Sequence, residues 1–282
     1  FGDYYCWITD SVGDTLGCGV EPIHVTITEP QELTVSSVFS DVSCFGVNDG
    51  GAIVNFFGGT IGSVPGDTNY ILGWDTLTYI LPYPLDYFTT PIGVPAGVYP
   101  YTVTDLNGCT IYDAITITEP DSLYITYSTT NFSGYEISCF GGNDGEIDIQ
   151  VNGGTAPFDN YLNGSLQSFS DSILEIDSLA ADTYSDSIID ANGCIATINI
   201  ILNEPPELVS TLTPTNISCN GICDGEIISS NSGGVLPYSY SWTSIPDSTE
   251  DISNLCTGLY TLTISDGNGC IANSSATIDG QS

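Results

Sequence analysis

The sequence predicts an all-β protein made of tandem immunoglobulin-like antiparallel β-sandwich domains in an extended rod. Three observations support this class: apolar residues alternate with a period of two, turn residues interrupt the chain at short intervals, and one set of motifs recurs. Residues 52–56, 146–151 and 260–265 alternate as half-buried strands do, with Thr, Ile, Val and Tyr predominant. About seven short strands per copy match an immunoglobulin-like sandwich.

Four motifs mark the repeats, although the last copy ends Ile278-Asp279-Gly280 where the others have Glu-Pro. We call Ser-Cys-x-Gly-x-x-Asp-Gly the marker loop and Asp-x-Asn-Gly-Cys the Asp hairpin; a Gly-Gly pair lies between them, and Glu-Pro closes the copy. The repeat length of roughly 75–95 residues is that of a small domain. Marker loops begin at Ser43, Ser138 and Ser218, Gly-Gly pairs at Gly58, Gly153 and Gly233, Asp hairpins at Asp105, Asp190 and Asp266, and Glu-Pro at Glu29, Glu119 and Glu204.

The motifs divide the chain into four segments. Residues 1–30 are predicted to be the C-terminal part of an upstream repeat, followed by the second (31–120), third (121–205) and fourth (206–282) repeats. The Glu-Pro joints are short, and Pro fixes φ, so we expect a semi-rigid arrangement. An immunoglobulin-like sandwich often buries a Trp. That place is taken by Trp74, Leu162 and Trp242 in the three complete repeats.

The charge of the chain excludes several classes of function. It has no Lys or Arg and 35 acidic residues, for a formal net charge of −35 at pH 7. Phosphate neutralisation needs cations, so we expect no nucleic-acid partner and no docking on an anionic membrane. No apolar run of 18 residues is present, so we expect no direct membrane insertion. The chain starts with Phe1 and shows no signal peptide, and we interpret it as a piece of a longer secreted polypeptide.

The ten cysteines indicate an oxidising, extracellular compartment. Each complete repeat has one cysteine in its marker loop and one in its Asp hairpin, and we expect these two to pair. Cys18 stands in the position after a turn, so its partner is expected upstream; Cys6 would do likewise or bridge to Cys18. Zinc is the alternative, disfavoured because Cys-x-x-Cys is absent and there is one histidine. The predicted disulfides are Cys44–Cys109, Cys139–Cys194, Cys219–Cys270 and Cys223–Cys256.

The residues give no sign of an active site, so we expect no enzyme and no required cofactor. His24 lies on the alternating run 23–27, which predicts a surface or edge position. The motifs Gly-x-Ser-x-Gly and His-Glu-x-x-His and a nucleotide-binding glycine motif are all absent. Carboxylate pairs that could serve a glycosidase arise by chance among 35 acidic residues.

The Asp hairpins raise the question of calcium. Their Asp and Asn spacing resembles the first half of an oxygen-rich calcium loop, but the distal bidentate Glu is missing. A plain hairpin turn is the alternative and the favoured interpretation. Glu29, Glu119 and Glu204 at the joints could instead meet a neighbouring repeat's turn carboxylates around an ion. The candidate calcium ligands are Asp105, Asn107, Asp190, Asn192, Asp266 and Asn268.

Asp followed by Ser or Thr and then an aliphatic residue or Thr occurs more often than composition predicts. Asp-Ser and Asp-Thr also suit turns, which is the structural alternative. The hydroxyl residues of these triplets are Ser11, Thr15, Thr76, Ser122, Ser172, Ser178, Ser187 and Ser248.

Taken together, the four motifs resemble the SprB-type repeat of giant cell-surface adhesins of the Bacteroidetes, including gliding-motility adhesins. The resemblance covers essentially the whole chain. It implies export across the outer membrane by the type IX pathway, display as a long filament, and a role in surface attachment or gliding. It also implies O-glycosylation at the eight hydroxyl residues named above. The partners it implies are adjacent repeats of the same long chain and glycans or abiotic surfaces.

A spacer or carbohydrate-binding module of a secreted multidomain enzyme is the alternative function. Tyr79, Tyr83, Tyr87 and Phe88 could form an aromatic platform for a sugar, or they could pack a loop.

Overall fold

The computed structural model describes residues 1–7, 9, 13, 21–74, 77–90, 93–167, 173–243 and 245–280. Every regular element in these ranges is a β-strand, as the period-two pattern predicts. All strand pairings are antiparallel. The part of the chain that the structure describes holds no helix long and apolar enough to cross a membrane.

The chain forms two compact units, the first of which is Phe1–Pro120. It contains a two-stranded sheet β1-β2, a three-stranded sheet β3-β4-β7 and a four-stranded sheet β6-β5-β8-β9. The last two sheets form the second repeat. The strands are β1 (Gly2–Cys6), β2 (Ile23–Ile27), β3 (Thr34–Ser40), β4 (Gly51–Phe57), β5 (Thr68–Trp74), β6 (Leu77–Pro82), β7 (Tyr87–Thr89), β8 (Gly97–Thr104) and β9 (Thr110–Ile117).

The second unit, Asp121–Ser282, contains the third and fourth repeats. The third repeat has sheets β10-β11-β14 and β13-β12-β15-β16, and the fourth has β17-β18-β20 and β19-β21-β22. The strands are β10 (Tyr124–Thr129), β11 (Gly145–Asn152), β12 (Phe158–Leu162), β13 (Ser165–Gln167), β14 (Ile173–Leu179), β15 (Asp182–Asp190), β16 (Ile195–Leu202), β17 (Val209–Thr215), β18 (Gly225–Ser232), β19 (Ser239–Trp242), β20 (Ile252–Leu255), β21 (Gly258–Ser265) and β22 (Ile271–Ile278).

Alternating side chains of the two sheets meet in the core of each sandwich. In the second repeat, Phe56 of β4 and Leu72 of β5 belong to one buried cluster, and the ring of Trp74 stacks on that of Tyr99 at 5.8 Å. Trp74 and Trp242 are both 5% exposed and Leu162 is 8% exposed, which confirms the predicted core positions. Burial of one such side chain contributes about 1.5–3 kcal/mol to folding.

The core of the third repeat contains a polar pair. Asn160 of β12 donates its side-chain N–H to Asp186 of β15 at 2.9 Å, and both residues are fully buried. Among the described residues, neither Oδ1 of Asn160 nor Oδ2 of Asp186 has a hydrogen-bond partner. Burial raises the pKa of Asp186, and this outweighs the opposing hydrogen bonds from Asn160 and the Ser187 backbone. The pair therefore lowers the stability that an apolar core would give.

Candidate functional site

A buried carboxylate organises each Asp hairpin. In the second repeat, Oδ1 of Asp105 accepts the backbone N–H groups of Asn107 at 3.0 Å and Cys109 at 2.8 Å, while Oδ2 accepts that of Thr60 at 2.8 Å. Thr60 follows the Gly-Gly pair, so one side chain ties the hairpin to that loop. The other repeats have the same arrangement: Asp190 accepts from Asn192, Cys194 and Thr155, and Asp266 accepts from Asn268, Cys270 and Val235.

The hydrogen bonds of these carboxylates bear on the prediction that the Asp hairpins bind calcium. Burial raises the pKa of Asp105, but its N–H donors outweigh that effect and hold the pKa below its ordinary value. Both carboxylate oxygens therefore already have donors. Among the described residues, no group of three or more His, Cys, Asp or Glu side chains could hold a metal ion. Calcium at the three Asp hairpins remains a prediction, and a rise of melting temperature in millimolar calcium would support it.

The Gly-Gly pairs bring the start of each repeat against the Asp hairpin. Gly153 has φ +67°, and a Cβ there would lie 2.0 Å from the carbonyl oxygen of Ser122. Its neighbour Gly154 donates its N–H to the carbonyl of Asp121 at 2.9 Å. The same bond runs from Gly59 to Gln31 and from Gly234 to Pro206. The Asp hairpin therefore lies at the N-terminal end of each repeat, beside the preceding Glu-Pro.

The marker loop lies at the opposite end of the repeat. The carboxylate of Asp49 accepts the backbone N–H of Ser43 at 2.9 Å and its hydroxyl at 2.5 Å, and these bonds lower the pKa of Asp49. Glu119, from the closing Glu-Pro, accepts the N–H of Gly46 at 2.8 Å. In the third repeat Glu204 accepts the N–H of Gly141 at 2.6 Å. Glu119 and Glu204 therefore bind the marker loop of their own repeat, and an ion shared with a neighbour's turn carboxylates stays a prediction.

The third and fourth repeats meet where these two ends come together. The side-chain amide of Asn268 donates to the carbonyl of Ser138 at 3.0 Å and to that of Phe132 at 3.3 Å. The hydroxyl of Ser133 donates to Oδ1 of Asn268 at 3.0 Å. We call this contact between the marker loop of one repeat and the Asp hairpin of the next the joint.

The sequence explains why Asn268 reaches across the joint. The equivalent amides of Asn107 and Asn192 donate to hydroxyls of their own repeats, Thr60 at 2.7 Å and Thr155 at 3.2 Å. In the fourth repeat Val235 stands in that place and offers no hydroxyl. The amide of Asn268 therefore takes its acceptors from the third repeat.

A disulfide closes the joint and corrects the predicted pairing. Cys139 of the marker loop is bonded to Cys270 of the next repeat's Asp hairpin, with 5.6 Å between the Cα atoms. The pairs Cys139–Cys194 and Cys219–Cys270 are therefore wrong. Cys109 and Cys219 carry exposed free thiols, so the pair Cys44–Cys109 is also wrong.

Strand length is the physical reason for this correction. In the second repeat, β9 runs from Cys109 at the Asp hairpin to the Glu-Pro that binds the marker loop. Eight extended residues span about 26 Å, whereas bonded cysteines have Cα atoms within about 7 Å. The two motif cysteines of one repeat lie at opposite ends of its sandwich, and the marker-loop cysteine of the third repeat meets the hairpin cysteine of the fourth.

The remaining cysteines include bonded and free thiols. Cys223 is bonded to Cys256 within the fourth repeat, as predicted, with 4.1 Å between the Cα atoms. Cys44 and Cys194 are both disulfide-bonded. Cys6 is exposed with a free thiol, while Cys18 lies outside the described residues.

Other candidate residues lie away from the joint. Nε2 of His24 is 3.2 Å from a carboxylate oxygen of Asp3 on the neighbouring strand, and both side chains are exposed. Phe88 is buried with its ring 5.6 Å from that of Trp74, and Tyr79 packs on Phe88 at 4.8 Å. The four aromatics proposed for a sugar therefore do not share one exposed platform, because two of them pack into or against the core.

The candidate glycosylation residues differ in accessibility. Ser122, Ser178 and Ser248 are exposed, whereas Ser187 is half-buried within β15, between β12 and β16. Ser11, Thr15, Thr76 and Ser172 lie outside the described residues.

A family model for the SprB repeat matches residues 135–166 and 211–246. These two segments of the chain are SprB repeat segments. Both matched segments include a marker loop and a Gly-Gly pair, in the third and fourth repeats respectively. No curated protein sequence matches the chain.

Several solved structures match the chain at low sequence identity. The three N-terminal domains of the Highly Immunogenic Outer Capsid protein of bacteriophage RB49 are 10% identical, with a TM-score of 0.37, over 89% of this chain and 99% of that one. The eight N-terminal Ig domains of Down Syndrome Cell Adhesion Molecule are 12% identical, with a TM-score of 0.38, over 100% and 46%. A 282-residue C-terminal fragment of intimin, solved with the intimin-binding domain of its translocated receptor, is 10% identical, with a TM-score of 0.33, over 65% and 67%.

These findings define the chain in coarse terms. The SprB segments within tandem immunoglobulin-like sandwiches suggest an adhesin-like structural segment. Domains of this kind are typically non-catalytic. The SprB repeat is a cell-surface adhesin type of domain, and the disulfides suggest an extracellular protein.

Proposed function

We propose that these SprB repeats form a structural segment of a long extracellular adhesin filament that mediates surface attachment or gliding motility. The observation that carries the proposal is the joint, where Cys139 and Cys270 covalently join consecutive repeats and Asn268 adds hydrogen bonds. A segment that spaces or displays a binding surface needs its domains held in order, and a covalent bond between neighbours supplies this.

The charge of the chain supports adjacent repeats and glycans or abiotic surfaces as partners. With a net charge of −35 and no Lys or Arg, the surface repels nucleic acid and anionic lipid. Export across the outer membrane by the type IX pathway forms part of the proposal and rests on the similarity to SprB-type adhesins.

Glycosylation of Asp-Ser and Asp-Thr sites also forms part of the proposal. Ser122 and Ser248 are exposed and lie outside the strands, and Ser178 is exposed at the irregular end of the β11–β14 pairing, whereas Ser187 is half-buried in a strand paired on both sides. We expect higher occupancy at the three exposed sites. Glycopeptide mapping of native material with Glu-C or Asp-N measures this, because trypsin has no Lys or Arg to cleave after.

The function is tested in the cells that encode the chain. Antibodies against the purified chain are expected to label intact, unpermeabilised cells, and an in-frame deletion of residues 31–282 is expected to reduce attachment to glass and the speed of surface movement. A matched strain with Cys223→Ser and Cys256→Ser, which leaves the joint intact, is the control. Labelling that requires permeabilised cells, or unchanged attachment and movement in the deletion strain, would overturn the proposal.

A further inference from the structure

The joint contains a socket that receives the marker loop of the preceding repeat. The socket is lined by Pro205, which ends the third repeat, and by Leu208, Gly234, Cys270 and Ile271 of the fourth repeat. Cys139 and Phe140 of the third repeat border the same cleft. The socket therefore consists of the proline of Glu-Pro and the residues after it, the Gly-Gly pair and the strand that follows the Asp hairpin.

The second repeat has a cleft built from the equivalent positions. Pro30, Leu33, Gly59, Cys109 and Thr110 line it, in the same sequence places as the five residues that line the first socket. All of its lining residues belong to the first unit. Cys109, in the place of Cys270, carries an exposed free thiol. This cleft is a second socket, and the thiol of its cysteine is exposed and free.

The fourth repeat carries the complementary part. The backbone N–H of Ser218 donates to Asp224 at 2.9 Å, as that of Ser138 donates to Asp144 at 3.1 Å in the bonded marker loop. Residue Ile222 donates its N–H to the carbonyl of Cys219 at 3.1 Å, matching the bond from Gly142 to Cys139 at 2.9 Å. The thiol of Cys219 is exposed and free. The marker loop of the fourth repeat thus has the conformation of the loop that bonds to a socket.

We propose that Cys109 and Cys219 are the two halves of a further joint: the Cys109 socket receives the marker loop of another SprB repeat, and the Cys219 loop enters the socket of another. The two joints would share the Cys–Cys bond and a cleft built from equivalent sequence positions around it. The contacts that Phe132 and Ser133 make with Asn268 are not expected in the further joint. These two residues belong to the segment between β10 and the marker loop, and the equivalent segment after β17 in the fourth repeat is shorter.

The bond forms by thiol–disulfide exchange with a small-molecule disulfide such as glutathione disulfide. The Cys219 thiolate attacks it to give a mixed disulfide and releases one glutathione thiolate. The Cys109 thiolate of the partner then attacks the Cys219 sulfur and releases the second. Two protein thiols are oxidised, and one glutathione disulfide is reduced to two thiols, whose released thiolates take up the two protons that the protein thiols lose.

A second copy of this chain provides both halves and serves as the probe. The purified chain, with its internal disulfides formed, is incubated with glutathione disulfide at about 0.5 M salt, which screens the repulsion between acidic chains. Non-reducing electrophoresis is expected to show a ladder in steps of the 29.8 kDa chain mass. Mapping with Glu-C is expected to identify a Cys109–Cys219 peptide.

Single variants make the test directional. Cys109→Ser and Cys219→Ser should each abolish the ladder alone, and a mixture of the two should give a dimer and nothing larger, since each supplies one half. Cys6→Ser, which removes the other exposed free thiol among the described residues, should leave the ladder unchanged. A ladder that persists in either single variant, or monomers in which Cys109 and Cys219 carry only glutathione, would overturn the proposal. The assay contains no adhesion surface, so its outcome is separate from that of the attachment experiment.

Discussion

The side-chain amide of Asn268 donates to the backbone carbonyl of Ser138, 130 residues earlier in the chain, at 3.0 Å. The bond lies beside the disulfide that Cys139 makes with Cys270. It therefore holds the Asp hairpin against the marker loop next to the bridge. The corresponding amide of Asn107 binds Thr60 within its own repeat, so the chain provides its own matched comparison.

Asn268→Ala should expose the bridge of the joint. It removes the hydrogen bonds to Ser138, Phe132 and Ser133, at about 1 kcal/mol each, so the hairpin leaves the marker loop more often. We expect reduction of Cys139–Cys270 by dithiothreitol to become roughly tenfold faster, measured by alkylation and peptide mapping. Asn107→Ala should leave that rate unchanged, and equal rates in the two variants would contradict the role assigned to Asn268.

Asp105→Asn should destabilise the first unit in a manner that depends on pH. The variant keeps the shape but replaces one acceptor oxygen with N–H donors, which we expect to cost about 2–4 kcal/mol at neutral pH. The folded pKa of Asp105 lies below its ordinary value. The ionised carboxylate therefore stabilises the fold at any pH above the unfolded pKa, and this stabilisation is lost as pH falls through the folded pKa.

Urea unfolding between about pH 7 and pH 2 measures this effect. The difference between wild type and Asp105→Asn should shrink as the solution becomes acidic. Glu32→Gln removes one exposed charge from the same unit and serves as the control, with an expected change within about 0.5 kcal/mol. A constant difference across the whole pH range would show that the ionised carboxylate is not the stabilising group.

Asp186→Asn should stabilise the third repeat at neutral pH. Burial raises the folded pKa of Asp186 above its ordinary value. The protonated Asp186 side chain therefore contributes its full share to the stability of the fold below the pKa that it has in the unfolded chain. That contribution is lost as pH rises through the folded pKa. The variant keeps an acceptor for Asn160 and removes the buried charge, so we expect a gain of roughly 1–3 kcal/mol at pH 7 that disappears near pH 4.

Thermal unfolding of Asp186→Asn and of wild type across that pH range checks this expectation. Asp159→Asn, an exposed position on the same strand as Asn160, removes the same formal charge and should change little. A lower melting temperature for Asp186→Asn at pH 7 would mean that the ionised carboxylate is satisfied in the core.

Substitutions at two glycines of the third repeat measure the cost of backbone strain separately from the cost of steric overlap. Gly153 and Gly193 both have positive φ, at +67° and +84°. A Cβ atom on Gly153 would lie 2.0 Å from the carbonyl oxygen of Ser122, whereas a Cβ atom on Gly193 would have no neighbour within 4 Å. Gly193→Ala should cost about 1–2 kcal/mol from its left-handed backbone alone. Gly153→Ala should cost more than about 3 kcal/mol, and similar losses in urea unfolding would refute the close approach.

The alternating residues were sufficient to predict the class of the fold and much of its core. The runs at 52–56, 146–151 and 260–265 lie within β4, β11 and β21, and Trp74 and Trp242 are buried as expected. These features depend on local pattern: a period of two places every second side chain on the same face. The Asn160–Asp186 pair escaped prediction because it breaks that pattern with polar residues at inward positions.

The cysteine partners could not be read from the motifs because pairing depends on where the ends of a strand lie. Equal spacing in every repeat is compatible with bonds within a repeat or between repeats. The signal was nevertheless present: Cys109 and the closing Glu119 flank an eight-residue strand, which places Cys109 and the marker loop at opposite ends of the sandwich. Asn268 carried a second signal, the replacement of the neighbouring Thr by Val235.

The bond between Cys139 and Cys270 changes how the chain would respond to tension. Its two cysteines are 131 residues apart in sequence. Unfolded and pulled straight, such a length of polypeptide would extend by roughly 450 Å. With the bond in place, a pulling force passes from one sulfur to the other and cannot draw out the chain between them. Under tension, this part of the chain would therefore lengthen very little. A reducing agent that breaks the bond would allow the enclosed residues to extend.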